Sequence, residues 1–185
     1  PVRGVLFAIS GLGHVFIANG LFSSLRRQLV GIWYRVALGF RNKVIIFQNP
    51  DDKDSIISLA GVPSDQVLLI PGSGIRLSDF DPTSVADGDA IVIMVARLLR
   101  TKGVREFVEA ARLLKRRGVS ARFYLAGDVD FANPAIISPA ELEIWRNEGY
   151  VDFLGPRSDI PQLLACSSLV VLPSYREGMP KVLME

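Results

Sequence analysis

The sequence predicts an α/β protein built on parallel sheets with helices on both faces. Three observations carry that reading. Short apolar or β-branched runs alternate with stretches of helical period along the 185 residues. The links between them are short. The segments richest in glycine and charge each follow a strand-like run, at 10–14, 72–74, 97–103, 127–130, 155–157 and 173–180. Ligands of such sheets bind beyond the carboxyl ends of the strands, so the candidate functional loops all fall on the ligand-binding edge.

The elements follow in order. Val5–Ile9 reads as a short buried strand ending in Ser10-Gly11-Leu12-Gly13-His14, where glycines allow a tight turn and close backbone approach. Gly11 and Gly13 form the first half of a dinucleotide fingerprint, but Phe16 stands at the third glycine position and the motif fails. Residues 24–38 are expected to be helical and Lys43–Phe47 a strand. Asn49 caps a helix over Pro50–Ala60, with proline at the favoured first position and acids in the first turn. Residues 66–70 form the next strand, followed by Pro71-Gly72-Ser73-Gly74-Ile75. The polar, proline-containing stretch 78–89 is the best linker candidate.

Beyond it the alternation restarts. Residues 90–96 are a strand, and 104–114 a helix with Val104, Phe107, Val108, Ala111 and Leu114 on one face. Ala121–Ala126 is a strand. Ser138 opens a helix with a capping box to Glu141. A short strand at 151–154, a helix over 159–165 capped by Ser158, and a strand at 168–172 complete the pattern. Residues from Pro180 onward are expected to be helical.

Hydrophobic content of 49% against 22% charged residues predicts a packed core. The single cysteine, Cys166, excludes an internal disulfide, fits a reducing cytosol, and reads as a small buried hydrophobe. One histidine and no Cys/His cluster argue against a zinc site. Charge is uneven. Residues 1–50 hold Arg3, Arg26, Arg27, Arg35, Arg41 and Lys43 and no acid, against a total of +2, which leaves −4 for the rest. A basic, apolar first quarter suits an anionic partner, a membrane surface or simply a solvated rim. The apolar run 4–22 is broken by His14, Asn19 and glycines, so it reads as a strand and loop rather than a leader or a span. The chain opens directly on a strand-like run and closes inside a helix-like one, so it reads as a fragment truncated at both ends.

Two segments carry chemistry. Arg97-Leu98-Leu99-Arg100-Thr101-Lys102-Gly103 joins a strand to a helix. A guanidinium that grips oxygens bidentately and an ammonium point charge, both beside a helix N-terminus, suit a diphosphate. Arg100 is expected to be exposed. The second segment, 174–185, carries Glu177 and Glu185 eight positions apart across a turn that holds Gly178 and Pro180. With a helical rise of about 1.5 Å per residue from Pro180, these carboxylates would stand on the order of 10 Å apart. That separation suits a ligand with polar groups at both ends and negative charge between them. The N–H groups at the helix start would face that charge.

Val95-Ala96-Arg97-Leu98 with Lys102-Gly103, Gly155 with Asp159-Ile160, and Pro173-Ser174 followed by Glu-Gly-x-Pro and the Glu-x7-Glu spacing resemble the nucleotide-binding half of the GT-B retaining glycosyltransferases of family 4. Ser10-Gly11-Leu12-Gly13-His14-Val15-Phe16, Phe47-Gln48-Asn49-Pro50-Asp51-Asp52 and Gly72-Ser73-Gly74-Ile75 resemble the bacterial subgroup that builds lipid-linked O-antigen, capsule and glycoprotein glycans. The resemblance implies a GT-B fold of two Rossmann-like domains. Residues 1–75 would be the C-terminal part of the acceptor-side domain, 76–89 the linker, and 90–185 most of the nucleotide-sugar-binding domain.

It also implies residue roles. Arg97 and Lys102 would bind the donor diphosphate and stabilise the leaving group, with Glu177 near the donor sugar and phosphate. Glu185 would hydrogen-bond the ribose hydroxyls. The backbone N–H groups of Gly178, Met179 and Lys181 would face the sugar or phosphates, and the backbone near Arg157 would meet the base. Gly72 and Ser73 would lie on the donor side, and Gly11, Gly13 and His14 would touch sugar or acceptor. Many relatives place a histidine where this chain has Ser10-Gly11, and His14 stands a few positions late.

The implied activity is transfer of a hexosyl or N-acetylhexosaminyl group, with retention, from a UDP-sugar to a glycan acceptor carried on polyprenyl diphosphate. No metal or other cofactor is implied for the chemistry. The implied location is cytoplasmic, peripheral at the inner face of the cell membrane, and the fragment alone is expected to be inactive. Aromatics are not interleaved with a basic stripe, which argues against a nucleic-acid partner. Two other classes stay open. One is a non-catalytic nucleotide-sugar-binding or regulatory module with the same pocket. The other is a dinucleotide-dependent dehydrogenase or epimerase, against which the failed glycine fingerprint counts.

Overall fold

The computed structural model of the protein describes residues 3–12, 21–80 and 88–185, with side chains in the first helix from residue 28 onward. Gly13 and His14, and residues 81–87 of the expected linker, lie outside the described residues. The chain divides into two compact units, Pro1–Gly74 with Gly178–Lys181, and Ile75–Glu177 with Val182–Glu185.

In the first unit β1 (Val5–Ile9), β2 (Lys43–Phe47) and β3 (Val67–Leu69) form a parallel sheet in the order β1-β2-β3. The helix α1 (Leu21–Ala37) joins the first two strands and α2 (Pro50–Ala60) the second and third. Leu12, Leu38, Ile45, Phe47, Ile56 and Val62 form the core. The α2 cap is reciprocal. The Asp52 N–H donates to Asn49 Oδ1 at 2.8 Å, and Asn49 Nδ2 donates to the Asp52 carboxylate at 2.8 Å. Both residues are buried, so the mutual bonds offset the cost of removing them from water. The strand at 66–70 is shorter than expected, because Gln66 closes a 3-10 turn over Ser64–Gln66. The helix α1 begins three residues earlier than expected. Gly31 and Leu38 are buried, while Leu29, Ile32, Trp33, Val36 and Phe40 are exposed.

In the second unit β4 (Ala90–Val95), β5 (Ala121–Ala126), β6 (Asp152–Gly155) and β7 (Leu169–Val170) are parallel in the order β6-β5-β4-β7. Three helices connect them, α3 (Val104–Arg116), α4 (Pro139–Glu148) and α5 (Ile160–Ala165). The expected apolar face of α3 is the one that packs. Val104, Phe107, Val108 and Ala111 are buried against β4 and β5 residues such as Met94, Phe123 and Leu125, and Leu114 packs at the edge. Phe107 meets Phe123 edge-on, with ring centroids 6.2 Å apart.

Four local expectations change. At α4, Ser138 accepts from the Glu141 N–H at 3.2 Å, but the Glu141 carboxylate turns to Arg105 at 2.6 and 2.8 Å, so only half of the capping box forms. The cap residue of α5 is Asp159 rather than Ser158, and its carboxylate is held by Arg157 instead of capping. Cys166 is exposed, because it ends α5, a six-residue helix that fully buries none of its residues. The last strand is two residues long. It is an edge strand paired only with β4, and the chain leaves the sheet after the Val171 N–H donates to the Ile93 carbonyl at 2.9 Å.

Candidate functional site

Four loops of the second unit emerge at the carboxyl edge of its sheet. The first leaves β4. Leu98 and Leu99 are buried, which turns Arg97 and Arg100 toward solvent. The Leu98 N–H donates to the Asp128 carbonyl at 2.9 Å, so this loop runs along the one after β5. Only glycine fits at 127. A Cβ there would stand 1.8 Å from the Ala96 carbonyl oxygen. The two loops converge on an ion pair, Arg97 with Asp130 at 2.7 Å. Arg97 is 59% exposed and keeps room for a second anionic partner. Arg100 is exposed, as expected, and donates to the carbonyls of Pro134 at 2.8 Å and Ile136 at 3.2 Å, which is a structural role.

Residues Arg100–Lys102 form a 3-10 turn that ends at Gly103, with φ 77°. Here too a side chain has no space. A Cβ at 103 would lie 2.1 Å from the Pro173 carbonyl oxygen. The absence of a side chain lets the loop after β7 lie directly on this turn. Lys102 Nζ then donates to the Glu177 carboxylate at 2.5 Å, with both side chains about one-quarter exposed. Lys102 and Glu177 are therefore brought together from 75 positions apart.

Arg157 is engaged bidentately by Asp159 at 2.8 and 2.5 Å. That bond first, and the opposite charge with it, hold the Asp159 carboxyl below the usual carboxylate range. Beyond Glu177 no α-helix forms. Lys181–Leu183 is a single 3-10 turn, so the expected row of helix N–H groups facing an anion is not built. Met179 and Lys181 are exposed and Glu185 half-buried. In the first unit, Gly72 and Gly74 have φ of 64° and 72°, a loop conformation that favours glycine, with Ser73 exposed between them. Among the described residues, a Cβ at Gly11 would meet no atom within 4 Å, so the backbone there is open. Among the described residues no three His, Cys, Asp or Glu side chains gather as a metal site would need.

Sequence reasoning missed three participants. Asp130 appeared only as the end of a loop, and nothing marked it as the partner of Arg97. Tyr175 and Glu106 share a hydrogen bond across 69 positions, with the phenol donating. That bond, and then the carboxylate's charge, raise the phenol above its ordinary value.

A family profile described as group 1 glycosyl transferases matches residues 89–185. The chain is 36% identical over 198 residues to the N,N'-diacetylbacillosaminyl-diphospho-undecaprenol alpha-1,3-N-acetylgalactosaminyltransferase of Campylobacter jejuni, covering all of this chain and 50% of that protein. It is 28% identical to the UDP-Gal:alpha-D-GlcNAc-diphosphoundecaprenol alpha-1,3-galactosyltransferase of Escherichia coli, covering 89% of this chain and 46% of that protein. The chain thus spans about half the length of the curated relatives it matches. The crystal structure of Anabaena HepE with UDP and glucose aligns with a TM-score of 0.67 over 97% of this chain and 48% of its own, at 20% identity. That likeness establishes the fold, which is of the GT-B type.

Proposed function

The chain belongs to the group 1 glycosyl transferases, and from that we propose that the intact protein moves a hexosyl or N-acetylhexosaminyl group from a UDP-sugar to a lipid-linked glycan, with retention. The observation that carries this reading is the Lys102–Glu177 pair. It sets a cation and a carboxylate on one sheet edge, with Arg97 on the loop that leads to Lys102. As the glycosidic bond breaks, negative charge builds on the departing diphosphate. Lys102 and Arg97 stabilise that charge, and Glu177 orients Lys102 and the donor sugar. Glu185 takes the ribose hydroxyls, and the backbone at Gly178, Met179 and Lys181 meets the sugar or phosphates. In this reading the cations do the charge work and the chemistry needs no metal. Undecaprenyl-linked acceptors in the names of both curated relatives support a polyprenyl diphosphate carrier. The test is an assay of the intact protein with a panel of UDP- and GDP-sugars and a polyprenyl-diphosphate glycan. Product of retained anomeric configuration is expected. Nucleotide-sugar binding without transfer would favour a regulatory module instead. The 185-residue chain by itself is expected to be inactive.

Such an acceptor requires approach to a bilayer. No helix among the described residues is long and apolar enough to cross one. The exposed face of α1, with Trp33 73% and Val36 70% accessible, lies in the basic, acid-free first quarter of the chain and suits an anionic surface. In flotation assays with phosphatidylglycerol vesicles, the intact protein carrying Trp33→Ser and Val36→Ser is expected to lose about tenfold or more in partitioning. Unchanged partitioning, or a large drop in Tm showing that the face is packed in the intact protein, contradicts the contact.

A further inference from the structure

Glu177 sits seven residues past the end of a two-residue edge strand, on a segment with no regular structure. Something must hold its carboxylate on Lys102. The segment is stitched to the turn before α3 in an antiparallel register. The Tyr175 N–H donates to the Thr101 carbonyl at 3.0 Å. The Ser174 hydroxyl donates to the Lys102 carbonyl at 3.4 Å. The Pro173 carbonyl rests where Gly103 has no side chain. Residues 101, 102 and 103 thus face 175, 174 and 173 in turn.

Two side-chain rungs extend this stitch, Lys102–Glu177 and Glu106–Tyr175. By these two bonds Tyr175 and Glu177 reach across the gap to Glu106 and Lys102. The Tyr175 ring is 68% exposed, so the bond to Glu106 adds little to the core. Its effect is local, two residues before Glu177.

We propose that Tyr175 and Glu106 form a positioning latch that sets the Glu177 carboxylate on Lys102. The proposal rests on the transferase reading of that pair. Neither latch residue needs to touch the donor. Their contribution is to fix the loop, and small displacements of a catalytic group have large kinetic effects.

The experiment uses the intact protein with Tyr175→Phe, which keeps the ring, with Glu106→Ala, and with the pair combined. Each single change is expected to lower kcat about tenfold at nearly constant donor KM, and the double variant to lose no more than either single one. Glu106→Gln still accepts the phenol proton and should stay within about twofold of the parent. Hydrogen exchange at residues 174–177 should quicken in Tyr175→Phe with Tm unchanged, because a surface bond contributes little to global stability. Parental kcat in Tyr175→Phe, additive losses in the double variant, or unaltered exchange would overturn the latch. The exchange readout separates the two claims. Faster exchange in a protein that transfers no sugar from any donor sustains the latch and defeats the transferase reading.

Discussion

If the intact protein is the proposed transferase, Glu177→Ala is expected to lower kcat by about 100-fold while donor affinity stays within a few-fold. The magnitude is that of removing one preorganised charge-stabilising group from an active site. The asymmetry comes from the geometry. Lys102 donates to Glu177 at 2.5 Å, and both side chains are about three-quarters buried. Removing the carboxylate leaves an ammonium in want of an anion, and the donor diphosphate supplies one. Binding therefore survives, while the ammonium loses the partner that aims it. Lys102→Ala has a different signature. It removes the cation and leaves a carboxylate facing the incoming diphosphate, so like charges meet and donor KM should rise as kcat falls. Steady-state kinetics with the donor varied separate the two patterns. Equal losses in kcat alone for both variants would contradict the assigned roles.

Gly103→Ala is expected to destabilise the protein by about 2–4 kcal/mol and to abolish transfer. Two costs combine. At φ 77° a residue with a side chain pays about 1–2 kcal/mol for the left-handed conformation. The new methyl would also meet the Pro173 carbonyl at 2.1 Å, and backbone on both sides must move to admit it. That movement separates Lys102 from Glu177. Gly118→Ala is the control. Its φ is 75° and its surroundings are open, so it should pay only the conformational part, about 1 kcal/mol, and leave transfer intact. Urea unfolding of the three proteins reads the difference. Equal destabilisation at 103 and 118 would show that the Pro173 contact carries no weight.

The elements legible in the sequence were those whose burial follows a period. Ala121–Ala126 and Pro50–Ala60 are found at the expected bounds. The α3 face was readable because 104, 107, 108 and 111 recur at helical spacing and all pack inward. Edges were less legible. The run 168–172 is apolar enough for a full strand, yet with a neighbour on one side only it pairs for two residues before the loop takes over. Cys166 resembled a core residue by composition, but the helix it ends lies too near the surface to bury it. The site divides in the same way. Lys102 and Glu177 could be placed at one site from the family resemblance and the rule that ligands gather at strand ends. Asp130, Glu106 and Tyr175 could not, because their bonds depend on how two loops lie against each other, and that is set by missing methyl groups at Gly103 and Gly127.

In the proposed function Lys102 and Glu185 hold the two ends of a nucleotide-diphosphate donor. Calorimetric titration of UDP into the intact protein and into its Lys102→Ala and Glu185→Ala variants tests it most directly. The expected result is binding to the parent and a loss of about tenfold or more in each variant, the size of one charge-assisted hydrogen bond. UDP affinity unchanged in both variants would contradict it.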